Sequence, residues 1–146
     1  DGNISWEQKK KLEKDRKSVL EGVPQSLPSL TRARRIQEKA SSVGFDWKKL
    51  PPIWDKINEE ISELKEAIDA NNPNSIKDEI GDVIFSIVNL ARFLNIDSES
   101  SLRHAIKKFE YRFKEVESIL ESNNKTMKNS TLDEMDKIWN KVKKKQ

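Results

Sequence analysis

The chain has 146 residues, 34% of them hydrophobic and 36% charged, with a formal net charge of +3. This suits one domain with a modest core, and because no run of ~18 apolar residues occurs, a membrane-spanning helix is excluded. The absence of cysteine excludes disulfides and thiolate metal sites and is compatible with a soluble, cytoplasmic protein.

Only four glycines and five prolines occur, gathered at apparent boundaries. The remainder is rich in Lys, Glu, Leu and Ile, which favours helix nearly throughout and no hairpin, so the expected fold class is all-α. The start, Asp1-Gly2-Asn3-Ile4-Ser5-Trp6, lacks a basic region followed by an apolar one, so no secretory leader is expected. It also lacks an initiator Met, and the chain is expected to be a segment of a longer protein.

A polar helix is predicted from about Ser5 to Leu20, followed by a break at Gly22-Val23-Pro24 and Pro28. Residues 1–24 therefore read as an N-terminal polar helix and linker, and residues 25–146 as the functional domain. A second helix spans about Ser29 to Val43 and stops at Gly44. Pro51-Pro52 preset the start of a third, which ends before the turn Asn71-Asn72-Pro73-Asn74. A central apolar helix follows to about Asn95. Asp97 or Ser98 can cap the fifth, from about Glu99 to Glu121, and Asn123-Asn124-Lys125 ends it. Thr131, with Glu134 three residues on, forms a capping-box pattern that opens the last helix.

The chemistry lies in two acidic clusters, Glu59-Glu60-x-x-Glu63 on the third helix and Glu79-x-x-Asp82 on the central one. Carboxylates three residues apart share a helix face, and two such faces brought together suit a hard divalent cation. Taken alone, Glu59, Glu60 and Glu63 read as a solvated face. For Glu79 and Asp82 that reading is weaker. At ~100° per residue, Ile76, Ile80, Val83, Ile84, Ile87, Ala91 and Leu94 form one apolar stripe, while Ser75, Glu79, Asp82, Ser86, Asn89 and Phe93 form a polar seam. A helix apolar on most of its circumference is expected to be buried, and carboxylates near a core need a cation or basic partners. On the third helix Ile53, Ile57, Ile61, Leu64 and Ile68 define the core stripe. Glu60 and Glu63 flank it as inner ligands, Glu59 lies further round, and Lys56 sits one turn before Glu60.

Lys108 and Arg112, one turn apart, can grip one anionic group together, with Phe109 and Phe113 expected to anchor their helix in the core. By itself the pair is an ordinary surface feature. Trp139 lies in the stripe Leu132, Met135, Ile138, Trp139, Val142, where it reads first as a packing or dimer anchor and second as a base-stacking platform. His104 reads as structural or exposed, and Trp47 and Trp54 as packing residues. The two lysine runs read as solvated helix ends, so nucleic acid is an improbable partner.

Together these motifs resemble the MazG-type nucleoside triphosphate pyrophosphohydrolases of the all-α NTP pyrophosphatase superfamily. That family's Glu-Glu-x-x-Glu, spacer and Glu-x-x-Asp here read Glu59, Glu60, Glu63, Glu79 and Asp82. The segments Val43-Gly44-Phe45-Asp46-Trp47, Val88-Asn89-Leu90-Ala91-Arg92, Lys108-Phe109-Glu110-Tyr111-Arg112-Phe113 and Glu134-Met135-Asp136-Lys137-Ile138-Trp139 agree as well. The resemblance covers about Ser18 to Lys143 and is strongest to the C-terminal domain of tandem-domain members. It implies a helical bundle completed by homodimerisation, and Mg²⁺-dependent hydrolysis of NTPs to NMP and pyrophosphate, with Mn²⁺ as a substitute ion. The implied Mg²⁺ ligands are Glu60, Glu63, Glu79 and Asp82; Glu59 or Glu60 orients the attacking water. Implied nucleotide contacts are Lys56, Glu59, Ser75, Asp78, Lys108, Arg112 and Trp139. Two alternatives stay open: a narrower dUTP, dCTP or phosphoribosyl-ATP pyrophosphatase, and a catalytically silent helical interaction or nucleic-acid-binding module.

Overall fold

A computed structural model describes residues 5–13 and 17–146. Among the described residues there are helices and no strands: α1 Trp6–Glu13, α2 Ser29–Ser42, α3 Leu50–Asp69, α4 Pro73–Phe93, α5 Ser98–Ser122 and α6 Leu132–Lys145. None is long and apolar enough to cross a membrane. The first helix is shorter than expected: residues 17–20 are bend and turn, and residues 14–16 and Asp1 to Ile4 lie outside the described residues.

The helix boundaries follow local chemistry. Pro51 and Pro52 open α3 and Pro73 opens α4, at positions where the missing N–H has no intrahelical partner to lose. Asn72 caps α4, its Oδ1 accepting from the Ser75 amide at 3.3 Å, and Asp97 caps α5 by accepting from the Glu99 amide. Thr131 Oγ1 accepts from the Glu134 amide at 3.1 Å. The reciprocal half of the expected capping box is diverted, because the Glu134 carboxylate pairs with Lys125 at 3.0 Å.

Four helices end in the same way. Gly44, Asn71, Asn95 and Asn124 have φ between +52° and +94°, the left-handed conformation that only Gly and, less readily, Asn adopt at small cost. The next amide in each case folds back to a carbonyl five residues earlier, as from Ile96 to Ala91 at 2.8 Å and from Lys125 to Leu120 at 2.8 Å. These bonds satisfy carbonyls that the helix leaves orphaned.

The chain forms two compact units, Asp1–Glu99 and Ser100–Gln146. In the first, α3 and α4 are joined by a tight turn and pack as a helical hairpin, with α2 laid against α4. Ile53, Ile57 and Val88 are its most buried apolar side chains. α1 is tied to α2 by an ion pair between Glu7 and the buried Lys39. In the second unit Val116, Leu120 and Val142 form the core, with Ile119, Met127, Met135, Ile138 and Trp139 packed around it.

The central helix departs from expectation. Ser86 and Val88 are its buried residues, whereas Ile80, Ile84, Ile87 and Leu94 of the predicted core stripe are 44–51% exposed. Of the polar seam Ser86 is buried, Ser75, Glu79, Asn89 and Phe93 are half-buried and Asp82 is exposed, while much of the apolar stripe faces outward; on α3 the buried residues include Glu60. Ile68 is likewise half exposed at the end of α3. In the second unit Phe109 and Phe113 stay exposed, stacked on each other at 5.9 Å, and the core residues are Val116 and Leu120 a turn later.

Leu120 is 2% exposed at the centre of the second core. Leu120→Ala is expected to destabilise that unit by about 2–5 kcal/mol, through lost burial and the cavity left behind. Thr131→Ala is expected to cost about 1 kcal/mol through the lost cap. Urea denaturation followed by circular dichroism measures both.

Candidate metal and nucleotide site

The α3–α4 turn brings the two acidic clusters face to face. One oxygen each from Glu60, Glu79 and Asp82 lies within 4.8 Å of the others, close enough for a single small cation to contact all three. Glu60 is buried, Glu79 half-buried and Asp82 exposed, so the group runs from the hairpin interior to its surface. Glu63 is outside this trio but adjoins it, since its charge acts on Glu79 and Glu60 acts on it.

The electrostatics show how short of positive charge the group is. Lys56 Nζ sits 2.8 Å from Glu60 Oε1 and 3.7 Å from Glu59. Its hydrogen bond holds Glu60 below the usual carboxylate range against the opposing effect of burial, and raises Lys56 in turn. Among the described residues no basic side chain is hydrogen-bonded to Glu63, Glu79 or Asp82, although the Lys56 charge partly offsets the rise at Asp82. Burial first, and the Glu63 charge next, push Glu79 up to about 7. Burial and the Glu60 charge raise Glu63; burial and the Asp78 charge raise Asp82. Among the described residues, Glu60 Oε2 and Glu79 Oε2 are buried without a hydrogen-bond partner. Buried carboxylate oxygens without a hydrogen-bond donor are costly, and a hard cation that accepts oxygen ligands removes that cost. The residues therefore fit a divalent metal.

The remaining predicted contacts are placed as follows. Glu59 is exposed and, with Lys56, Glu60 and Asp82, lines a cleft of about 990 Å³. Ser75 lies in the first turn of α4 and Asp78 is exposed one turn before Asp82. Lys108, Arg112 and Trp139 belong to the second unit. There Arg112 lies over the Trp139 ring at 5.9 Å, its Nε donating to the Gln146 side chain, and Phe109 tilts against the same ring at 5.3 Å. Lys108 is exposed, as is His104.

Two features of the cleft escaped sequence reasoning. Asp46 and Arg92 form a bidentate pair, at 2.7 and 3.2 Å. Burial opposes the charge on Asp46, yet hydrogen bonds from Arg92 and Ser41 hold it below its ordinary value. Gln37 is buried on α2; the signal for it was a lone polar residue in the otherwise apolar row Leu30, Ala33, Gln37, Ala40.

Comparison with known proteins agrees with this geometry. Residues 53–117, which contain all five motif acids, match the MazG nucleotide pyrophosphohydrolase domain. The chain is 46% identical over 140 residues to the nucleoside triphosphate pyrophosphohydrolase/pyrophosphatase MazG of Thermotoga maritima, covering 94% of this chain and 54% of that protein. It is 43% identical over 143 residues to the nucleoside triphosphate pyrophosphohydrolase of Escherichia coli K12, with the same coverage. The chain thus spans about half the length of the curated relatives it matches.

Glu79 sets a pH dependence. A carboxyl raised from 4.5 to about 7 in the fold is more easily ionised in the unfolded chain, so the Glu79 contribution to metal-free stability is fully present below about pH 4.5 and is lost as pH rises through 7. Glu79→Gln is expected to remove that part of the decline, raising the metal-free Tm at pH 8 relative to the parent and leaving it little changed at pH 4. Thermal melts in chelator across this range measure it.

Proposed function

Because the chain belongs to the MazG nucleotide pyrophosphohydrolase family, we propose that it hydrolyses nucleoside triphosphates, ribo and deoxy, between the α and β phosphates to NMP and pyrophosphate. The observation that carries this reading is the convergence of Glu60, Glu79 and Asp82 within 4.8 Å, two of which, Glu60 and Asp82, also line a cleft of about 990 Å³. Hard oxygen ligands with open positions are what a Mg²⁺–phosphate complex needs, and the same donors accept Mn²⁺. When bound, the ion supplies charge to the phosphate oxygens and lowers the pKa of water.

The chain's own residues do the rest. Glu60, Glu63, Glu79 and Asp82 hold the cation. The Glu60 oxygens are committed, one to Lys56 at 2.8 Å and one to the acidic group, so Glu59, exposed at the rim of the same cleft, is the better placed of the two to orient the attacking water. Lys56 keeps Glu60 ionised and offers its remaining donors to a phosphate. Ser75 and Asp78, at the start of α4, are candidates for contacts with the nucleotide. Lys108 and Arg112 are candidates through the family resemblance. The Trp139 ring, already engaged by Phe109 and Arg112, serves as an anchor for α6.

The outward apolar row Ile80, Ile84 and Ile87 favours a homodimer in which a second copy covers α4. Residues 1–24 act as an N-terminal polar helix and linker, and residues 25–146 as the hydrolase domain, working in the cytoplasm.

Incubation with each NTP and dNTP, with and without Mg²⁺, followed by phosphate-resolved chromatography, tests the reaction. NMP and pyrophosphate are expected in equal amounts. Activity is expected to fall at least about 100-fold in Glu63→Ala and Asp82→Ala, more than loss of an outer-shell partner costs a metal site. Metal-independent turnover, or none with any nucleotide, would refute the assignment.

A further inference from the structure

We propose that Asp46 and Arg92 are positioning residues for the metal ligands: their ion pair fastens the open end of the α3–α4 hairpin and holds the acidic group at the spacing a cation needs. This rests on the metal and hydrolase reading above and deepens it.

The hairpin is joined covalently at one end only. Counted from Asn71 in the turn, Glu60 and Asp82 stand equally far along the chain, as do Glu63 and Glu79, and as do Leu50, the first residue of α3, and Arg92. An antiparallel pair therefore brings the start of α3 level with Arg92, at the end where no turn connects the helices. Asp46 lies just before that start, and its two oxygens accept from Arg92 Nη1 and Nη2 at 3.2 and 2.7 Å. A bidentate pair fixes angle as well as distance. The buried side chains Ile53, Ile57 and Val88 also hold this unit together, but apolar burial is non-directional and leaves slide and rotation less determined.

Both members of the pair are themselves fixed. Arg92 Nε and Nη2 donate to Asn89 Oδ1 at 3.1 and 2.8 Å, one turn back on α4. Asp46 also accepts from Ser41 Oγ at 2.7 Å and from the Trp47 amide at 2.8 Å, which ties the segment leading into α3 to the end of α2. The Arg92 and Asp46 side chains are 13% and 22% exposed, so salt screens this pair less than a bridge in open solvent.

The force it opposes is electrostatic. Glu60, Glu79 and Asp82 offer oxygens within 4.8 Å of one another, and without an ion like charges at that range push α3 and α4 apart. The turn at Asn71 resists splaying from one side. Asp82 and Arg92 are ten residues apart on α4, about 15 Å, so a pair outside the ligand set governs how far the hairpin opens around it. Loosening the pair spreads the carboxylates, which weakens a cation site and, in the metal-free chain, relieves their repulsion.

Two measurements on the full chain test this. In Mn²⁺ titrations followed by electron paramagnetic resonance, with no nucleotide present, Arg92→Leu is expected to weaken binding about tenfold, as loss of an outer partner of a metal ligand does, although every ligand is intact. In thermal melts in chelator at pH 8, Glu79→Gln is expected to raise Tm by less in the Arg92→Leu background than in the parent, because the freed hairpin has already relaxed part of the repulsion. A pair serving only local stability would leave the two Tm shifts additive, as for independent sites more than about 10 Å apart, and Mn²⁺ affinity unchanged. Either result in a folded variant overturns the proposal. Should Arg92→Leu fail to fold, Arg92→Lys, which keeps the charge but cannot grip both Asp46 oxygens, is expected to show both effects and is judged by the same outcomes. The melts need no ion, so they decide the proposal even if the parent binds no Mn²⁺, an outcome that would sink the metal reading. Mn²⁺ binding without turnover of any NTP would sink the hydrolase reading and leave the fastening standing.

Discussion

The rest of this structure depends on the mutual repulsion of carboxylates held between α3 and α4. Glu60, Glu63, Glu79 and Asp82 are packed together, and among the described residues Lys56 hydrogen-bonds Glu60 and only partly offsets the charge around Asp82. The other three carry raised pKa values because burial and neighbouring negative charge act in the same direction. A hairpin built only for stability would place apolar residues here; replacing buried charge by packed hydrocarbon is commonly neutral or favourable. The fold instead accepts an internal electrostatic cost beside a cleft that Glu60 and Asp82 line, which is the arrangement expected when a cation and a polyphosphate complete the charge balance.

That choice explains the orientation of α4. With the seam of Glu79, Ser86 and Asn89 turned toward α2 and α3, the helix has only its outward face left for Ile80, Ile84 and Ile87. The exposed apolar row follows from the acidic hairpin, because a helix of 21 residues cannot turn both stripes inward. Stability and site thus compete for one helix circumference, and a homodimer, as proposed, relieves the competition.

Local chemistry made most of the fold legible. Helix starts at Pro51, Pro73 and Thr131 and stops at Gly44, Asn71 and Asn124 rest on φ preferences and capping, which act within a few residues and can be read from one sequence. The pairing of Glu60 with Glu79 and Asp82 was legible because spacing of three fixes a face and the short turn fixes which helices are neighbours. What could not be read was long-range. Whether the Ile80–Ile84–Ile87 row is covered within the chain depends on where α2 lies, and periodicity states only that the row exists. Phe109 and Phe113 misled for the same reason: helical spacing alone did not show that Val116 and Leu120, a turn later, would take the core. The Asp46–Arg92 and Gln37–Phe85 contacts join residues 46 and 48 apart, beyond the reach of any local rule.

The left-handed Asn71 that ends α3 has one more consequence. Between Glu63 and Glu79 the chain completes one helix, turns through Ala70, Asn71 and Asn72, and begins another, so the turn acts as a clutch that sets the rotational phase of α4 against α3. Each residue added on either side would rotate one helix by about 100° and advance it about 1.5 Å, swinging a carboxylate pair out of reach of the other. Lengthening is harmless only when both arms grow by matching whole turns, leaving the turn itself untouched. The distance along the chain between the two acidic motifs is therefore quantised, and a hairpin of this kind can grow longer without its metal ligands ever having to be reinvented.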